Sequence, residues 1–168
     1  MSLANKMHFK IMSFVHETLY GLFRDPYESL NAAGLKPGQS VLEIGCGPGF
    51  FTVPAAKIVG EQGSVRTLDI NPLAVEKVRQ KIEAAGVTNV RAILADAAQT
   101  GLPAQSFDLA FIFGFAHAIG GMENILTELH RLLKPGGILS IEGRSQVPGE
   151  LFCPLGRQGR VYQFKKVA

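Results

Sequence analysis

The chain lacks most of the features that would place it in several broad classes. Only two cysteines, Cys46 and Cys153, occur in 168 residues, and no C-x-x-C or Cys/His cluster accompanies them. A disulfide framework is therefore excluded, no metal site has a ligand set, and a reducing, cytoplasmic setting is expected. Long apolar runs are also missing. The longest, residues 109–116, stops at His117, far short of the roughly 20 residues a membrane span needs. The first residues mix Lys6, His8 and Lys10 with Phe9 and Ile11, without the clean apolar core of an export signal. Charged residues are sparse at 18% against 46% hydrophobic, a balance too apolar for disorder. No internal repeat, low-complexity tract or linker divides the chain, so a single domain over 1–168 is expected.

The net charge of +3 is small but uneven. Residues 143–168 carry Arg144, Arg157, Arg160, Lys165 and Lys166 against Glu150 alone, a local +4 that leaves the rest at −1. This pattern reads as a solvated strand face, and no nucleic-acid partner is expected.

What is present is an alternation. Five short, β-branched apolar segments, 40–45, 64–70, 89–96, 107–114 and 137–143, are separated by helical or turn-rich stretches. Runs such as Leu109-Ala-Phe-Ile-Phe113 mark strands buried on both faces, the habit of a parallel sheet between helices. Asn71-Pro72 opens a helix with a stripe of Leu73, Val75, Val78 and Ile82, and Gly86 stops it. Another helix is expected over 122–134, ended by Pro135-Gly136-Gly137, and a third between Gly49 and Gly60. Upstream, Phe9, Met12, His16, Leu19 and Phe23 recur at helical steps, so 7–33 reads as a helical segment that packs as core or lid. The fold class is α/β, doubly wound around a mostly parallel sheet.

Val41-Leu-Glu-Ile-Gly-Cys-Gly-Pro-Gly49 carries the chemistry: a strand enters a glycine-rich turn that opens a helix. In such a sheet this turn lies at the carboxyl edge, where ligands bind. The spacing is G-x-G-x-G, with Phe50 where a dinucleotide fingerprint would place its third glycine. Glu43, two residues before Gly45, would repel a pyrophosphate and suits a cationic ligand. Asp69 follows 24 residues beyond Gly45, where a carboxylate accepts ribose hydroxyls. Asp96, at the end of the third segment, is placed to accept from an amino group on a base edge.

Taken in order, Glu43-x-Gly45-x-Gly47-x-Gly49, Asp69, Asp96 and Leu133-Lys-Pro-Gly-Gly137 resemble the motifs of class I S-adenosylmethionine-dependent methyltransferases. The closest resemblance is to the small-molecule and quinone-type branch, over residues 26–143. It implies a Rossmann-like sheet of order 3-2-1-4-5-7-6 with an antiparallel C-terminal strand, and a cofactor-binding core over 36–143. It also implies that Glu43 and the Gly45–Cys46–Gly47–Gly49 turn face the methionine end of S-adenosylmethionine. Asp69 would hold the ribose, Ile70 would pack on the adenine, and Asp96 and the Ala97 backbone would meet its amino group. Phe113 would offer its carbonyl to the cofactor's ammonium. His117 matches a position where this branch often has histidine, and is the candidate general base; Tyr20 and His16 are candidates for the acceptor pocket.

The expected reaction is methyl transfer to a small, apolar or aromatic molecule. The alternatives are an inert cofactor-binding or interaction protein, and, less favoured, an NAD-dependent oxidoreductase. No Asn/Asp-Pro-Pro-Tyr/Phe motif follows the fourth strand, which speaks against methylation of amino groups on nucleic-acid bases or glutamine. The C-terminus departs from the family. Only residues 144–150 follow Gly143 before Leu151, too few for the usual crossover helix. A hairpin over 144–168, turning at 156–159, is expected on a reduced sheet edge. Its bare face would be covered by the N-terminal helix or by a second copy, making a homodimer the expected partner arrangement.

Overall fold

The computed structural model describes residues 25–114 and 121–167. Seven strands form one sheet in the order β3-β2-β1-β4-β5-β7-β6. They are β1 (Ser40–Ile44), β2 (Ser64–Asp69), β3 (Val90–Leu94), β4 (Phe107–Ile112), β5 (Leu133–Glu142), β6 (Phe152–Gln158) and β7 (Val161–Lys166). The first five run parallel, and β7 is antiparallel to both β5 and β6. This is the topology implied by the sequence motifs.

Two layers of apolar packing enclose the sheet. On one face lie α1 (Pro26–Ala32), α2 (Thr52–Val59) and α3 (Pro72–Ala85). Leu30, Ala55, Ala56 and Val59 pack there on Val41, Val65, Leu109, Phe111 and Val161. On the other face α4 (Met122–Leu132) buries Ile125, Leu126, Leu129 and Leu132 at helical spacing against Leu42, Leu68, Ala110 and Ile112. The N-terminus of α3 is built as its sequence requires. Asn71 Oδ1 accepts from Leu73 N–H at 3.0 Å, Pro72 takes the first turn, and Gly86 ends the helix at φ +64.

Four boundaries differ from expectation. The 7–33 segment is not one helix, because Asp25 is extended and caps a new helix at Pro26; residues 7–24 lie outside the described residues. The third strand ends at Leu94, so Asp96 lies in the turn beyond it, in an isolated bridge with Gln99. Helix α4 stops at Leu132, because Leu133 already pairs with Phe107 of β4. Pro135-Gly136-Gly137 is therefore absorbed into β5 opposite a register shift between Phe107 and Leu109. Glycine suits position 137, where a Cβ would meet Lys134 O at 2.9 Å and Asp108 O at 3.3 Å. Lastly, the C-terminal hairpin turns at Gly159–Arg160, not across 156–159, and Gly156 sits at an irregularity in β6.

The missing crossover helix is replaced economically. Residues 143–151 run back over the α4 face, where Val147 and Leu151 pack against the core cluster that contains Phe152 and Phe164. On the opposite face, Gln163 Nε2 donates to Ala32 O at 2.8 Å and Ser140 Oγ to Ala33 O at 2.8 Å, fastening the end of α1 across β5 and β7. The sheet is thus covered on both sides around β5 and β7, whereas β6 is exposed from Cys153 to Gln158. At the amino edge, Ser40 N–H and Lys134 Nζ both donate to Asp108, linking β1, β4 and β5. These bonds outweigh the effect of burial and hold the Asp108 carboxyl below the usual range.

Candidate functional site

Because the parallel strands share one direction, the ends of β1, β2 and β3 open together at the carboxyl edge. A cavity of about 510 Å³ lies there, lined by Ile44, Gly45, Gly47, Leu68, Asp69, Ile70, Ala95, Asp96, Ala97 and Ile125. Six residues singled out from the sequence meet in it: Gly45, Gly47, Asp69, Ile70, Asp96 and Ala97. Its walls are otherwise aliphatic, and Ile70 stands 72% exposed at the rim, an arrangement that leaves a flat apolar face open to a ligand.

Asp69 organises the glycine turn. Its Oδ2 accepts from Gly47 N–H at 2.9 Å and its Oδ1 from Asn71 N–H at 2.8 Å. Each carboxylate oxygen retains a further acceptor site, so a diol can still be bound. Gly45 and Cys46 N–H both donate to Leu68 O, at 2.7 and 3.1 Å, which folds the turn back over the end of β2. Gly47, at φ +50, has nothing within 4 Å of where a Cβ would be. Asp96 is exposed; its Oδ1 accepts from Ala98 N–H at 2.9 Å.

Other expected residues sit behind this surface. Gly49, at φ +82, brings the turn against α3, where a Cβ would lie 2.8 Å from Val78 Cγ2. Cys46 is buried with Val75, Val78 and Ala92. Burial, followed by the nearby Glu43 charge, pushes its thiol pKa up, so it is packing and not a nucleophile. Glu43 is 2% exposed and accepts from Thr52 Oγ1 at 2.7 Å, tying β1 to the first turn of α2. Burial raises its pKa to about 7, against the hydrogen bond from Thr52. Phe113 is buried, with its ring against Phe51 and Phe111 at centroid distances of 5.1 and 4.9 Å. His16, Tyr20 and His117 lie outside the described residues.

Sequence reasoning missed Ile125, Ile44, Leu68 and Ala95 as lining residues, and it missed Glu142. The latter carboxylate ends β5, is 6% exposed, and accepts from Gly114 N–H at 3.1 Å as the chain leaves β4. Its partner Arg160, at 3.5 Å, comes from the hairpin turn.

The family model described as "Methyltransferase domain" matches residues 35–154. The chain belongs to the class I S-adenosylmethionine-dependent methyltransferases. A solved S-adenosylmethionine-dependent methyltransferase from Aquifex aeolicus superposes with a TM-score of 0.79 at 26% identity, covering 96% of this chain and 98% of that one. Among curated proteins, the ubiquinone/menaquinone biosynthesis C-methyltransferase UbiE of Vibrio vulnificus is 32% identical over 137 residues, 81% of this chain and 52% of that one. Aklanonic acid methyltransferase DauC of a Streptomyces species is 44% identical over 72 residues, 43% of this chain and 33% of that one. The chain thus spans about half the length or less of these curated relatives. The methyltransferase fold places the cavity at the strand ends, and its residues suit the family's cofactor. The walls are largely aliphatic, and Asp69 and Asp96 set two carboxylate acceptors among them, a lining chemically compatible with a nucleoside.

Proposed function

We propose that this methyltransferase domain moves a methyl group from S-adenosylmethionine to a small apolar or aromatic molecule. One observation carries the reading: the cavity combines a carboxylate ending β2, a second beyond β3 and an open glycine turn. When bound, the cofactor would supply a sulfonium methyl open to in-line attack by the acceptor's nucleophile, with the S–CH3 bond breaking and S-adenosylhomocysteine leaving. The chain's own work is then to bind, align and exclude water, effects worth roughly 7–11 kcal/mol when reactants are well oriented. In this reading Asp69 takes the ribose hydroxyls, Ile70 packs on the adenine, and Asp96 beside Ala97 accepts from its amino group. The Gly45–Gly49 backbone, with Glu43 beneath it, and the Phe113 carbonyl face the methionine end. His117 serves as base where the acceptor arrives protonated, and His16 and Tyr20 belong to the acceptor pocket. One curated relative is a C-methyltransferase of ubiquinone/menaquinone biosynthesis and another an aklanonic acid methyltransferase, which supports that acceptor class.

Incubation with methyl-labelled S-adenosylmethionine and a panel of hydroquinones, phenols and aromatic acids tests the proposal. Label transfer to one member is expected. Cofactor binding without transfer to any would favour an inert binding protein, and binding of NAD in place of S-adenosylmethionine would favour an oxidoreductase.

A further inference from the structure

The hairpin that closes the sheet also reaches the ligand edge. In the β5–β7 register Glu142 lies opposite Val161, and Gly143 N–H donates to Arg160 O at 2.9 Å. The Gly159–Arg160 turn therefore stands at the same carboxyl edge as the cofactor cavity. Glu142 joins this turn to Gly114, just past β4, so the hairpin is fixed to the chain leaving the fourth strand.

Three arginines lie at strand ends on this edge, Arg144 just beyond β5, Arg157 near the end of β6 and Arg160 in the turn, and they are not equivalent. Arg160 is matched by Glu142, and Asp25, which caps α1, and Glu28 within it line the crevice beside it. Arg157 is exposed; its guanidinium lies over the Tyr162 ring at 5.2 Å, and its Nε donates to Gly159 O. Arg144 is half-buried and its Nε donates to Gln146 O at 3.0 Å. Each of these two guanidiniums is oriented by a neutral carbonyl and has no carboxylate partner among the described residues. The remaining N–H donors form the fork that suits a carboxylate or phosphate. Tyr162, beneath Arg157, packs with Val147 against the α4-side core, the side from which Ile125 enters the cofactor cavity.

We propose that Arg144 and Arg157 form a cationic rim that recognises an anionic group, carboxylate or phosphate, on the methyl acceptor. The proposal rests on the methyl-transfer reading above, and it narrows the acceptor to an amphiphile with an apolar reacting end and an anionic far end.

The test is calorimetric titration of the S-adenosylhomocysteine-loaded protein with 2-naphthoate, 2-naphthyl phosphate and neutral 2-naphthamide. One or both anions should bind roughly tenfold tighter than the amide, and the preference should shrink as salt rises. Which anion binds tighter separates carboxylate from phosphate. The Arg144→Gln/Arg157→Gln double variant should lose the preference while retaining S-adenosylhomocysteine affinity, and the double lysine variant should recover part of it. Equal affinity for all three probes, no binding of any, or a preference that survives the double glutamine variant would overturn the rim and leave cofactor binding intact. Failure of S-adenosylhomocysteine to bind the wild-type protein would overturn the underlying reading and the rim with it.

Discussion

Glu43 shows how burial tunes a single group at this site. Its pKa is about 7 in the folded chain against an ordinary 4.5, so folding favours the protonated form. The stabilising effect is complete below pH 4.5 and is lost as pH rises through 7, a change of roughly 3 kcal/mol. Glu43→Gln keeps the neutral shape and removes the titration. Chemical denaturation should show wild type losing stability from pH 5 to 8 relative to this variant; parallel profiles would mean that the carboxyl titrates normally. His117 makes a different prediction. As a base for a protonated acceptor, its replacement by alanine should slow transfer by ~10²–10⁴-fold with S-adenosylhomocysteine affinity unchanged. Unaltered turnover would return it to a packing role. The residues legible in the sequence were those whose chemistry depends on local spacing: the glycine turn, and Asp69 at the end of its strand. Ile125 and Glu142 were not, because only the packing of α4 and the register of β5 bring them to the edge.

At the scale of elements, the two ends of the glycine turn meet different surroundings. Gly47 faces open space, whereas Gly49 backs onto Val78 of α3, itself fully buried. Both have positive φ, so both alanine variants carry backbone strain. Only Gly49→Ala adds overpacking, and it should destabilise by roughly 1–3 kcal/mol more than Gly47→Ala in urea unfolding. Equal losses would contradict that difference. Helix α3 could be read almost to the residue because its caps are local: Asn71, Pro72 and Gly86 act on their own backbone. The end of α4 could not, since Leu133 fits a helix as well as a strand and only pairing with Phe107 decides between them. The sequence predicts the hairpin, but its turn lies at Gly159–Arg160, where Gly159 at φ +57 closes the two-residue connection between Gln158 and Val161.

For the molecule as a whole, the shortened C-terminus changes what a second copy has to do. The sequence suggests a bare apolar sheet face; Val147 and Leu151 cover one side of β5 and β7 and α1 the other, while β6 stays exposed beyond Phe152, with Leu155 at 53%. The outer strand β6 carries Pro154, an irregularity before Gly156 and the charged Arg157, features that blunt edge-to-edge pairing. The homodimer expected from the sequence is still proposed: light scattering across a wide concentration range should give a dimer, and a strictly monomeric particle would leave cover from within the chain as the surviving arrangement. Among the described residues, no helix is long and apolar enough to cross a membrane. The cavity at the ends of β1, β2 and β3 is proposed to bind S-adenosylmethionine through Asp69. Calorimetric titration with S-adenosylhomocysteine tests it most directly. Saturable binding is predicted, with no binding of NAD and a loss of roughly 1.5–3 kcal/mol in folded Asp69→Ala, the range for hydrogen bonds to a charged group. Absence of binding, or wild-type affinity in that variant, would contradict it.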